Sequence, residues 1–125
     1  MAPMKRVFKV SLSDFPATLR DVYDTAEHDT RLKVTSNNTL KAVFSTVSYW
    51  IVEIYSYNKL IGHYNTIHSK FTLCNYTAKP IRKQPGQFIS PTTSKHVNRI
   101  RDYIENTGID AEIIAGPNAR YYDFN

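Results

Sequence analysis

The chain has 125 residues, 42% of them hydrophobic, 13% aromatic and 22% charged, which leaves room for one domain and excludes a second core. Its formal charge of +5 makes anionic partners the first class to consider, and an aromatic-rich chain with only four glycines is not a disordered or low-complexity protein. Cys74 is the single cysteine, so no intramolecular disulfide forms and a reducing compartment is expected.

The N-terminus from Met1 to Phe8 carries charge but no apolar stretch of signal-peptide length. The longest apolar run, Tyr49 to Val52, is too short to span a bilayer. The expectation is one domain over residues 1–125, cytoplasmic, with no membrane partner. Val7 to Val10 reads as a short strand or a lead-in. From Asp14 to Ala26, the residues Phe15, Leu19, Val22, Tyr23 and Ala26 recur at helical spacing, with Asp14 placed to cap and Pro16 in the first turn.

Between Leu32 and Phe88 the period becomes two. Leu32 to Thr35, Leu40 to Phe44, Tyr49 to Tyr57, Leu60 to Asn65, Phe71 to Thr77 and Gln87 to Ile89 are short, β-branched or aromatic, and separated by polar punctuation. In the clearest of them, Trp50, Val52 and Ile54 are assigned to the core, because the opposite face carries Glu53, which is costly to bury. Lys79 to Gly86 is a basic loop whose two prolines forbid a regular element. A second helix follows from Ser90 to Glu105, with Val97, Ile100, Tyr103 and Ile104 as its apolar stripe. Ser90 is its N-cap, Pro91 its first position, and Asn106-Thr107-Gly108 its stop. Ile109 to Ala115 fits a last strand. The fold class expected is α+β, an antiparallel β-meander of about four to six strands with an N-terminal and a C-terminal helix.

The charge is unevenly placed. Residues 1–53 hold seven basic and six acidic side chains, whereas residues 54–101 hold Lys59, Lys70, Lys79, Arg82, Lys83, Lys95, Arg99 and Arg101 and no acid. The last 24 residues reverse this, with Asp102, Glu105, Asp110, Glu112 and Asp123 against Arg120. Gathered on one face, the central cations would attract phosphate. The start of the second helix focuses them: backbone N–H groups, the hydroxyls of Ser90, Thr92, Thr93 and Ser94, and the cationic donors Lys95, His96 and Arg99 coincide there, with Arg82 and Lys83 on the preceding loop. Tyr55, Tyr57, Tyr64 and Tyr76 lie on or beside strands in the same stretch, where rings edged by lysines stack single-stranded nucleic acid. The plainer reading of such tyrosines is cross-strand packing.

Other chemistries find little. His63, His68, Cys74 and His96 match no zinc spacing, so no metal and no cofactor is expected. Cys74 reads as buried and inert, and the carboxylate pairs Asp21/Asp24 and Asp110/Glu112 have no partner base, so no catalytic residue is assigned. The tail aromatics Tyr121, Tyr122 and Phe124 are costly to leave in water and either pack back or meet a neighbouring chain.

The run Ile89-Ser90-Pro91-Thr92-Thr93-Ser94-Lys95-His96 before a basic helix resembles the signature of a family of small uncharacterised bacteriophage proteins. In these an aromatic residue, tyrosine or phenylalanine, and a Ser-x-Thr-Thr-Ser-x-His string end a short meander and open a terminal helix. The likeness covers roughly residues 14–105, with Ile89 standing where the pattern has tyrosine and Lys79 to Gly86 a longer basic insertion. It implies a phage accessory protein of α+β build, acting in the host cytoplasm by binding rather than catalysis. Two functions follow as expectations. The first is binding of nucleic acid or a nucleotide signal through the basic loop and helix start. The alternative is inhibition of a bacterial host or defence protein by contact, with the tyrosines and Trp50 as anchors. Either is compatible with a homo-oligomer.

Overall fold

Turn-forming residues divide the centre of the chain into strands, and longer connections at both ends become helices. The computed structural model describes residues 6–121, so the N-terminal lead up to Lys5 and the tail residues Tyr122 and Phe124 lie outside the described residues. The elements run β1 (Val7–Lys9), α1 (Phe15–Tyr23), β2 (Lys33–Ser36), β3 (Leu40–Phe44), β4 (Ile51–Ser56), β5 (Lys59–Asn65), β6 (Lys70–Cys74), α2 (Pro91–Thr107) and β7 (Ala111–Ile114), followed by a 3-10 turn (Gly116–Tyr121). The seven described strands form one sheet in chain order.

From β2 to β6 every pairing is antiparallel, which is the expected meander. The two edges differ: β1 pairs parallel to β2, and β7 parallel to β6. Each of these pairs is joined by a helix instead of a turn, and a crossover returns the chain in its original direction. The result is a mixed sheet with two helices, an α+β fold. Strands β1, β2, β6 and β7 all point one way and both crossovers step the same way across the sheet, so the right-handed rule puts both helices on one face. There they meet: the Arg20 guanidinium of α1 donates to the Tyr103 hydroxyl of α2 at 3.1 Å.

That face is the core. Phe15, Leu19 and Tyr23 from α1 and Val97, Ile100 and Ile104 from α2 close over Val34, Leu40, Ala42, Val52, Ile54, Phe71 and Leu73. Tyr23 keeps its hydroxyl satisfied by donating to the carbonyls of Ala42 and Leu32. Ser90 caps α2 by accepting the Thr93 N–H, and Gly108 ends it in the left-handed conformation at φ 68, both as expected. Asp14 occupies the N-cap position of α1 without a side-chain cap bond, and its own N–H goes to the Ser11 hydroxyl instead. Two strand assignments need correction. Trp50 is not in the core: β4 begins at Ile51, and the Trp50 carbonyl instead anchors the Thr66 N–H at 2.9 Å. Gln87 to Ile89 is not a strand, because Gly86 and Pro91 bracket it and only Gln87 finds a backbone partner, the carbonyl of Asn75. Among the described residues, no helix is long and apolar enough to cross a membrane.

Candidate anion-binding surface

The Ser90–His96 string turns inward. His96, Thr93 and Ser94 are buried. The Ser56 hydroxyl, at the end of β4, lies 2.8 Å from His96 Nδ1 and 3.0 Å from Thr93 Oγ1, while His96 Nε2 meets Thr39 Oγ1 at 3.4 Å. One donor circuit satisfies every member: Thr93 donates to Ser56, Ser56 to Nδ1, and the Nε2 proton goes to Thr39. It needs a neutral imidazole, and burial, followed by the Lys95 charge, holds His96 below its ordinary value. Ser94 donates to the Tyr76 carbonyl, and Ser90 is engaged in its cap. The string therefore fastens α2 to the β3 and β4 ends, leaving Lys95 exposed and Thr92 and Arg99 half-buried.

Arg82 does not join that helix start, and Lys83 follows it in an exposed turn. The turn they form is held down by buried Ile81 and by the Asn75 amide, which donates to the carbonyls of Lys79 and Gln84. Arg82 reaches Glu105 at 3.4 Å and the Ala111 carbonyl at 3.2 Å. Glu105 lies 14 residues beyond Pro91, about 21 Å along the helix axis. The acid-rich tail also answers part of the central charge, since Lys70 pairs with Glu112 and Arg101 with Asp102.

The tyrosines divide as well. Tyr64 and Tyr76 are buried; Tyr64 packs on Phe71 and donates to the Asp24 carboxylate, and the Lys59 ammonium sits 4.7 Å over the Tyr76 ring. Neither can offer a face to a base. Tyr57 is exposed in the β4–β5 turn, and Tyr55 is half-buried on the sheet face away from the helices.

That face carries a candidate site that the sequence reading did not single out. The register lines up Lys9, Thr35, Lys41 and Tyr55 across β1 to β4, with Lys33, Val43 and Glu53 in the neighbouring row. Lys33, Lys41, Val43, Tyr55 and Asn58 surround a depression of about 270 Å³. Among the described residues no carboxylate pairs with Lys9, Lys33 or Lys41, whereas Glu53 is occupied in accepting the Tyr55 hydroxyl at 3.2 Å. Burial, then the Glu53 charge, keeps the Tyr55 phenol protonated by raising it above its ordinary value. A usable signal existed: Lys33 lies between the apolar positions Leu32 and Val34, and Lys41 between Leu40 and Ala42, which puts both lysines on the alternate face of the same strands. What the sequence does not say is that both helices choose the other face.

The remaining reactive groups are closed. Burial pushes the Cys74 thiol up to about 12, with Lys59 pulling weakly the other way, so no thiolate forms near neutrality. Ser56 and His96 are in contact, but at 1% and 4% exposure neither is open to a substrate. No cluster of three metal-ligating side chains occurs among the described residues. No family model matches the chain, and no curated protein or solved structure matches it either.

Proposed function

We propose that the chain is a small non-enzymatic binding protein that takes a phosphate-bearing ligand, single-stranded nucleic acid or a nucleotide, on the helix-free face of its sheet. The observation that carries this reading is the depression where Lys33 and Lys41 stand beside the Tyr55 ring and the Asn58 amide. Lysines supply sequence-independent attraction to phosphate, the phenol ring a stacking surface, and the amide a donor and an acceptor for a base edge. Its 270 Å³ sits just under the roughly 300 Å³ at which small-molecule pockets begin, which suits one nucleotide unit at a time and not a duplex. The resemblance to phage accessory proteins gives the setting, the cytoplasm of an infected cell.

Fluorescence anisotropy with labelled single-stranded DNA and RNA oligomers tests this, with duplex as competitor, at roughly 50 and 200 mM salt. If Lys9, Lys33 and Lys41 each neutralise one phosphate, log K falls against log salt with a slope of about −2. Calorimetry with mononucleotides covers the small-ligand arm. Absence of binding to every oligomer and nucleotide at low salt ends the proposal.

A further inference from the structure

The end of the sheet opposite the α2 start carries an apolar tip. Val47 is 77% exposed, Tyr49 74%, Trp50 45% and Ile67 65%. They belong to two loops that touch, the β3–β4 connection and the β5–β6 turn, because the Trp50 carbonyl accepts both the N–H and the hydroxyl of Thr66.

These side chains are held on a stiff support. Ser45 Oγ accepts the Val47 N–H, the Ser45 carbonyl accepts from His28 Nε2 at 2.8 Å, and the His28 ring stands edge-on to Tyr49 at 4.7 Å. In the other loop Asn65 Oδ1 accepts the N–H groups of Ile67 and His68. Ordering a loop is a main cost of association, and here it is met before any partner arrives. Exposing four large apolar groups on ordered backbone is not what a face made only for water requires.

The occupant follows from charge. Neither loop, Ser45 to Trp50 or Asn65 to Ser69, contains Asp, Glu, Lys or Arg, in a chain whose formal charge is +5. Two copies that meet through most of this surface bring like charges together, whereas two copies that meet at the tips do not. An anionic bilayer would be favoured by lysines around the aromatic residues, and the loops hold none. Area agrees: four such side chains expose on the order of 500 Å² per copy, so a symmetric pair buries on the order of 1,000 Å², the lower bound for a specific interface.

We infer that Val47, Tyr49, Trp50 and Ile67 form a self-association surface through which two copies of this chain meet tip to tip about a two-fold axis. The inference does not rest on the anion-binding reading, whose lysines lie on a different face.

Sedimentation velocity of the full chain over a wide concentration range tests it, with emission from Trp50, the single tryptophan, as a second readout. A concentration-dependent shift from monomer to dimer is expected, with Trp50 emission moving to the blue as the dimer forms. Val47→Lys, at a position too exposed to matter for folding, should weaken the dimer tenfold or more. Phe88→Lys, an exposed apolar position outside both loops, should leave it unchanged. A monomer at every concentration overturns the inference, as does a dimer that Val47→Lys leaves intact. A monomer whose Trp50 emission shifts blue only with zwitterionic vesicles, or only with a host protein, also overturns it and gives the tip to that partner.

Discussion

Ser56 joins β4 to α2 through one hydroxyl shared between Thr93 and His96. Replacing it with alanine leaves a buried imidazole nitrogen and a buried hydroxyl without partners. Ser56→Ala should therefore cost about 1–3 kcal/mol in urea-induced unfolding. Lys95→Ala, one residue from His96 but on the outside, should stay within about 0.5 kcal/mol. The histidines also set an acid limit. Burial, aided by Lys70, pushes His63 down from 6.5 to about 4, and His96 is lowered in the same direction. As pH falls from about 6.5 toward 4, the unfolded chain takes up protons that the native state refuses, so stability declines through that window and is intact above it. Unfolding midpoints measured at about pH 7.5, 5.5 and 4.5 should fall in that order, and His63→Gln should flatten the decline. The sequence located Ser90 to His96 as a special segment but not which way it faces. Hydroxyls at a helix start suit an anion or a buried network equally well, and only the packing of Ser56 and Thr39 against α2 decides.

At the scale of elements, both helices, the Ser90 cap and the Gly108 stop were legible because they depend on local spacing. The parallel edges were not. A strand of three residues such as Val7–Lys9 carries almost no periodic signal, and its pairing is fixed by where α1 returns the chain. The basic loop illustrates the same limit. Its composition shows that it is irregular, but not that its turn guards β7, where the Ala111 carbonyl faces away from β6 and is taken by Arg82. Arg82 and Lys83 hold left-handed conformations, φ 50 and 68, which side chains other than Asn and Gly adopt at a cost. The Asn37-Asn38 turn, at φ 54 and 57, meets the same demand with the residue type that tolerates it. Lys83→Asn should accordingly raise stability by about 0.5–1 kcal/mol, seen as a higher melting temperature in calorimetry, without altering the Arg82–Glu105 pair.

For the molecule as a whole, the decisive fact is that both helices cover one face of the sheet. It closes the core, hides Tyr64, and leaves Lys9, Lys33, Lys41 and Tyr55 together on the other face. The sequence suggested an anionic partner from the central cations, and three of these are now engaged by the acid-rich tail, through Lys70–Glu112, Arg82–Glu105 and Arg101–Asp102. Linear charge counts miss the first two because β7 and the last turns of α2 return Glu112 and Glu105 to the cations only in three dimensions, whereas Arg101 and Asp102 are neighbours in sequence. The proposed site therefore moves from the helix start to the sheet face, while the class of ligand stays the same. The most direct test compares single-strand binding by the wild type, Lys33→Glu/Lys41→Glu and Lys95→Glu/Arg99→Glu at one low salt concentration. Loss of at least tenfold in affinity for the first variant, with little change for the second, is the result expected. Unchanged binding by Lys33→Glu/Lys41→Glu, with the loss falling on Lys95→Glu/Arg99→Glu, would contradict it.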